Sequence, residues 1–133
     1  MNDEQVLRGR LIHAGRAAGR ALVSAEPLSF FGGFDLDTGA VTERGHPLEG
    51  QPVAGRVLVF PTGTGSTVGS FALLRMVRGG VGPAALVMAT VDTIVAVGAI
   101  IAELPCVDQI AIADIHDGDW VEVADSEVVV RVL

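Results

Sequence analysis

The sequence predicts an α/β domain of two β layers and one helical layer, with parallel and antiparallel pairing mixed. Three observations carry this. The order strand, loop, helix occurs around residues 57–78 and again around 84–103, which calls for parallel strands joined by right-handed crossovers. Period-two apolar runs flank these units on both sides, as antiparallel strands do. The chain has 133 residues, 50% of them hydrophobic and 19% charged, which is material for one core and one domain over residues 1–133 and leaves little for a disordered tail.

Each element has its own signal. Val6 to Ile12 alternates apolar with other residues, and Gly19 to Ser24 is a second run placed to pair back with it as a hairpin. Residues 26–51 are rich in Gly, Pro, Asp and Thr and contain Ser29-Phe30-Phe31-Gly32-Gly33-Phe34-Asp35; so long a loop in a small domain is usually functional. Val57-Leu58-Val59-Phe60 is a buried strand. Pro61 to Ser70 is a glycine-rich loop, and Phe71 to Arg78 is a helix that Gly79-Gly80 ends. Pro83 to Ala89 is another buried strand, after which Thr90 or Asp92 caps a helix through Glu103. Pro105-Cys106-Val107-Asp108 opens a short strand, and the runs 120–124 and 128–132 form a hairpin about Asp125-Ser126-Glu127.

Composition excludes several functions. Acidic residues outnumber basic ones 16 to 9, the net charge is −7, there is no lysine and the arginines are scattered, which argues against nucleic-acid binding through a basic face. A single cysteine, Cys106, rules out an internal disulfide and a thiolate metal cage built from this chain, and fits a reducing cytoplasm. The stretch Met1 to Gln5 lacks the basic region and apolar run of a signal peptide. Val81 to Leu104 is nearly all apolar and about as long as a bilayer is thick. Asp92 near its middle would cost roughly 2.5 to 3.5 kcal/mol, however, and Gly82-Pro83 and Gly98 interrupt it, so the segment reads as strand, turn and buried helix. Ile94, Val95, Val97, Ile100 and Ile101 leave that helix with scarcely a polar face. Part of its surface, or the aromatic loop at 30–34, is therefore expected to lie under another chain.

The loop from Gly63 to Ser70 ends at a helix N-terminus, where unpaired N–H groups favour an anion. Spacing alone leaves two readings open: a tight turn with Ser66 or Thr67 as N-cap, or a ligand loop, which the crowding of Thr62, Thr64, Ser66, Thr67 and Ser70 favours. It is no Walker loop, since no Gly-Lys-Ser/Thr follows, and the glycines at 63, 65 and 69 fit a dinucleotide fingerprint poorly. His13, His46 and His116 fall in three segments without ligand spacing and read as surface or loop residues. Cys106 reads as a buried, inert thiol. Helix capping and strand-end solvation account for Asp92 and Asp108.

These residues resemble the aconitase X swivel-domain family. The likeness is carried by Ser29 to Asp35, by His46-Pro47-Leu48-Glu49-Gly50, by Phe60-Pro61-x-Gly63-x-Gly65-Ser66-Thr67-Val68-Gly69-Ser70, by Val95-x-Val97-Gly98-Ala99 and by Pro105-x-Val107-Asp108, in order along nearly the whole chain. The resemblance implies a swivelling β/β/α three-layer domain with mixed sheets, acting in the cytoplasm as the small subunit of a two-chain hydro-lyase. It implies a large aconitase-like subunit as partner, holding an iron-sulfur cluster of the 4Fe-4S type, while this chain binds no metal itself. By position, Ser66 takes the catalytic role of accepting a carbon-bound proton, and Gly63, Gly65 and Thr67 line the substrate. Thr67 stands where the fused hydroxyproline-type relatives have cysteine, so the resemblance points to 5-phosphomevalonate in an archaeal-type isoprenoid route over cis-3-hydroxy-L-proline. Two other classes compete. A phosphohistidine carrier shares the swivelling fold but needs an exposed histidine where this loop has serine and threonine, and a non-catalytic assembly or regulatory subunit would tolerate changes in the loop.

Overall fold

A strand covered on both faces has to be apolar at every position, and two segments meet that demand: every residue of Val57-Leu58-Val59-Phe60 and of Ala85-Leu86-Val87-Met88 is 0% exposed. The computed structural model describes residues 4–132; Met1, Asn2 and Asp3, on which part of the signal-peptide reading falls, lie outside the described residues. In chain order the elements are β1 (Glu4–Arg8), β2 (Arg10–His13), β3 (Arg16–Val23), β4 (Val57–Phe60), α1 (Gly69–Arg78), β5 (Ala85–Met88), α2 (Thr93–Ile101), β6 (Cys106–Asp108), a 3-10 turn at Ile112–Asp114, β7 (Trp120–Ala124) and β8 (Glu127–Arg131).

The strands are ordered β1-β8-β7-β3-β4-β5-β6-β2. β3, β4, β5 and β6 are parallel, and β1, β8, β7 and β2 join antiparallel. The order has no true ends, because β1 and β2 are one run of chain broken only at Gly9, with β1 on β8 and β2 on β6. A Cβ at Gly9 would strike the Asp108 carbonyl, so this crossing point needs glycine. β3 is the other corner: Arg16–Arg20 pairs with β7, while Ala21–Val23 pairs with β4. Two sheet layers result, sharing their corner strands.

Side-chain alternation then fills two interiors. Val57, Val59 and Val87 point into the space between the sheets, against Val121, Val123 and Val130. Leu58, Phe60, Leu86 and Met88 point the other way, against Leu73, Met76 and Ala99 of the helices and against Leu28, Phe30 and Phe34 of the long loop. This is the expected β/β/α order.

Several expectations change. The 6–12 and 19–24 runs do not pair with each other: a period-two pattern fixes which face is buried but not the partner, and here both runs are corner strands with separate partners. α2 ends at Ile101, short of Glu103. It lies in the outer layer and leaves Val97, Ile100 and Ile101 at 43%, 51% and 38% exposure, so the domain does not enclose it, in line with its sequence. Phe30 and Phe34 are buried and stacked with centroids 5.0 Å apart, and only Phe31 of that loop's aromatics faces outward. Among the described residues, no helix is long and apolar enough to cross a membrane.

Candidate functional site: an open helix start bearing Ser66

The loop leaving β4 is held from two sides before it reaches the surface. On one side the Leu28 N–H donates to the Thr62 carbonyl at 3.2 Å, and the Thr64 N–H donates to the Leu28 carbonyl at 3.0 Å. On the other, the Thr90 N–H donates to the Pro61 carbonyl at 3.0 Å, and the Gly63 N–H donates to Asp92 Oδ1 at 2.8 Å. Gly63 fits between these flanks because it has no side chain. A Cβ there would lie 2.5 Å from both Asp92 Oδ1 and Val95 Cγ2.

After Thr64 the chain turns outward. Gly65 has φ +96°, a left-handed conformation, and a Cβ on it would collide with Ser29 Oγ, so both backbone angle and packing demand glycine. The next two residues, Ser66 and Thr67, are exposed. Among the described residues, no acceptor meets the N–H groups of Gly65, Ser66 or Thr67.

The helix itself starts at Gly69, two residues before Phe71. Val68 is the N-cap of α1, with helical angles φ −63° and ψ −16° and no side-chain capping bond. Neither Ser66 nor Thr67 caps α1. Ser66 Oγ instead accepts the Val68 N–H at 3.2 Å in a local turn, while the Ser66 carbonyl accepts the Gly69 N–H at 2.9 Å. Ser70 is buried, and its Oγ donates to the Ile94 carbonyl at 2.6 Å, tying the start of α1 to α2.

An exposed hydroxyl thus sits beside three consecutive unpartnered N–H groups, at a helix end carrying about half a positive charge. Successive N–H groups of this kind form a concave anion site. The Val68 N–H, 3.2 Å from the hydroxyl oxygen, is placed to stabilise negative charge developing there. The surroundings are apolar: Phe31, Val68 and Phe71 are 49%, 46% and 66% exposed. Of the two arginines of α1, Arg75 is engaged elsewhere, its Nη2 lying 2.8 Å from Asp37 Oδ1, and Arg78 ends the helix at the opposite terminus.

Gly63, Gly65, Ser66 and Thr67 therefore share one loop, as the sequence led us to expect. Other candidates sit apart. His46 is buried in the long loop, not on the surface; its Nε2 lies 3.1 Å from the Pro27 carbonyl and its Nδ1 accepts the Leu48 N–H at 3.0 Å, which fixes the loop fold. Asp108 is fully buried, not solvated at a strand end. Arg10 grips it with both arms, at 2.9 Å from Nε and 2.8 Å from Nη2, and the Val91 N–H donates to it at 2.9 Å. Burial works to raise the Asp108 carboxyl, but the Arg10 and Val91 hydrogen bonds and the Arg10 charge together hold it below the usual carboxylate range. Burial, reinforced by Asp108 and Asp92, pushes the Cys106 thiol up to about 12, so it stays protonated. Sequence reasoning missed Leu28 and Ser29 as partners of the loop, since nothing in their spacing joins them to residues 62–65. It recognised Asp92 as a cap and missed its second bond.

The described residues contain no group of three or more His, Cys, Asp or Glu side chains able to hold a metal. With one buried, protonated cysteine, this chain does not fit an iron-sulfur cluster.

Residues 6–132 match the aconitase X swivel domain. The phosphomevalonate dehydratase small subunit of Methanocella arvoryzae is 48% identical over 120 residues, 88% of this chain and 91% of that protein. The same subunit of Thermococcus onnurineus is 45% identical over 126 residues, 95% of this chain and 97% of that one. In structure, this chain is similar to Thermococcus kodakaraensis aconitase X, whose holo-form crystal structure superposes with a TM-score of 0.93 at 41% identity, covering 95% of this chain and 98% of that one.

Proposed function

This chain belongs to the aconitase X swivel-domain family, and we propose that it is the small subunit of a phosphomevalonate dehydratase, spanning the chain as one domain and acting in the cytoplasm. The reaction is the dehydration of (R)-5-phosphomevalonate to trans-anhydromevalonate 5-phosphate. The observation that carries this reading is the exposed Ser66 hydroxyl at an uncapped helix start with three unpartnered N–H groups. The names of the relatives support phosphomevalonate over cis-3-hydroxy-L-proline. The partner is a large aconitase-like subunit with a 4Fe-4S cluster, which when bound supplies the Lewis acid for the departing hydroxyl.

This chain's residues supply the proton acceptor and its surroundings. Ser66 Oγ takes the carbon-bound proton next to the departing hydroxyl. A serine hydroxyl is a weak acid, so its anion needs support. The Val68 N–H already points at this oxygen, and the end of α1 adds its dipole. The N–H groups of Gly65 and Thr67 hold a substrate anion, phosphate or carboxylate. Gly63 and Gly65 keep the backbone close to Asp92 and Ser29, which sets where the apex stands. Phe31, Val68 and Phe71 form an apolar rim that excludes water once the large subunit covers it.

The test is reconstitution with a large aconitase-like chain, followed by kcat/KM for both substrates. We expect the small chain alone to be silent and the complex to prefer 5-phosphomevalonate on the order of 10²-fold or more. The reverse preference would move the protein to amino-acid catabolism.

A further inference from the structure

We infer that Asp92 is a positioning residue of the reaction, holding the Ser66 loop in register through the Gly63 N–H; this rests on the role proposed for Ser66. The carboxylate divides its oxygens between two tasks. Oδ2 accepts the Val95 N–H at 3.2 Å and caps α2, a task that needs only one oxygen. Oδ1 reaches out of its own helix to the Gly63 N–H at 2.8 Å, three residues before Ser66. The closeness of Gly63 to Asp92 and Val95 leaves no room for a side chain between them, so the loop can rest against the start of α2 only with glycine there.

Asp92 is itself braced from behind. The neighbouring Val91 N–H donates to Asp108 Oδ2 at 2.9 Å, and Asp108, fully buried, is gripped by both arms of Arg10. A strut of charge-assisted bonds thus runs from β2 through β6 to Val91, and Asp92 carries it to Gly63. Beyond Thr64 the apex is braced by its own local turns and by the packing of Gly65 against Ser29, so its position depends on how the strand leaves Gly63 and Leu28. A displacement of about 1 Å at a reacting group is enough to cost about 10²-fold in rate.

The decisive variants are Asp92→Ser and Asp92→Asn, studied in the complex with the large subunit. Serine caps a helix as well as aspartate but is too short to reach Gly63 as well. Three quantities are read: kcat, the melting temperature, and amide hydrogen exchange at Gly63 and at Val95. In Asp92→Ser we expect the Gly63 amide to exchange tenfold faster or more, Val95 and the melting temperature to stay as they were, and kcat to fall by about 10²-fold. Asparagine keeps the side-chain length but has one acceptor oxygen to offer, and kcat should follow the protection of Gly63 whichever bond it keeps. A rapidly exchanging Gly63 at full kcat, or a kcat that follows Val95 and the melting temperature instead, overturns the inference. Ser66→Ala in the same assay separates the two ideas. Turnover surviving there rejects Ser66 as base whatever Gly63 does, whereas turnover lost there but indifferent to Asp92 rejects only the positioning role.

Discussion

α1 and α2 follow neighbouring parallel strands, lie side by side on one face of the sheet, and begin in opposite ways. α2 is closed: Asp92 is extended at φ −91° and ψ 163°, and its carboxylate takes the Val95 N–H. α1 is open: Val68 is already helical, no side chain caps it, and the residues before it present unpartnered N–H groups to the surface. Leaving out a cap typically costs about 1 kcal/mol, yet the loop before α1 has serine and threonine within reach and uses neither. The closed end completes its bonding within the chain, and the open end leaves its N–H groups for the anion proposed above.

The largest way to break this contrast is Ser66→Ala. Loss of a general base should lower kcat by about 10² to 10⁴, while the melting temperature stays nearly constant because the hydroxyl caps no helix. Steady-state kinetics beside thermal melts of the complex decide it, and the reverse pattern, stability lost with turnover kept, would make α1 an ordinary capped helix.

Gly98→Val tests the packing that sets the two helices side by side. A Cβ at Gly98 already lies 3.1 Å from Leu73 Cδ2 and 3.2 Å from the Ser70 Cα and carbonyl oxygen, so a branched side chain must push α1 away. We expect a loss of about 3 kcal/mol in denaturant unfolding. A wild-type midpoint would show that the helix pair is loosely fitted.

Asp108→Asn reaches the closed end from behind and should cost about 2 kcal/mol near neutral pH. The sign with pH is fixed by the lowered carboxyl. A carboxyl held lower in the folded state than in the unfolded chain gives stability that is complete above the ordinary carboxylate range, about pH 4, and lost as pH falls through the folded value. The gap between wild type and variant should therefore narrow in acid. A gap independent of pH would remove the charge from the explanation.

Val68→Asp is the smallest change and gives the open end a negative charge of its own. Stability should rise by about 0.5 kcal/mol through the helix dipole. Turnover should fall, since the new carboxylate competes for the free N–H groups and repels an anionic substrate; activity at the wild-type level would mean that those groups do not meet an anion.

How far the sequence disclosed all this differs between the two helix starts. Asp92 as cap of α2, the doubly buried strands at 57–60 and 85–88 and the hairpin of β7 and β8 were legible because each rests on neighbours within a few residues. The loop carrying Ser66 was legible as a motif, and its four candidate residues do lie together. Its geometry was not legible. The Gly63 bond to Asp92 spans 29 residues, and the contact of Gly65 with Ser29 joins two loops, so no local pattern reports either. Asp108 was misread for the same reason, since its partner Arg10 is 98 residues away and the pair was invisible without the closed sheet.

That closure at Gly9 also bears on how the molecule comes into being. β1 meets β8 across 127 residues at the Glu4–Arg131 pair, and β2 meets β6 across 98 residues at Arg10–Asp108. Contacts of such sequence separation make for slow folding, because much of the chain must be ordered before they form. β1 and β2 are thus among the last strands to be placed. Until they dock, β6 and β8 each present a bare edge to any extended segment nearby, and the nascent protein is most at risk of aggregation in that interval.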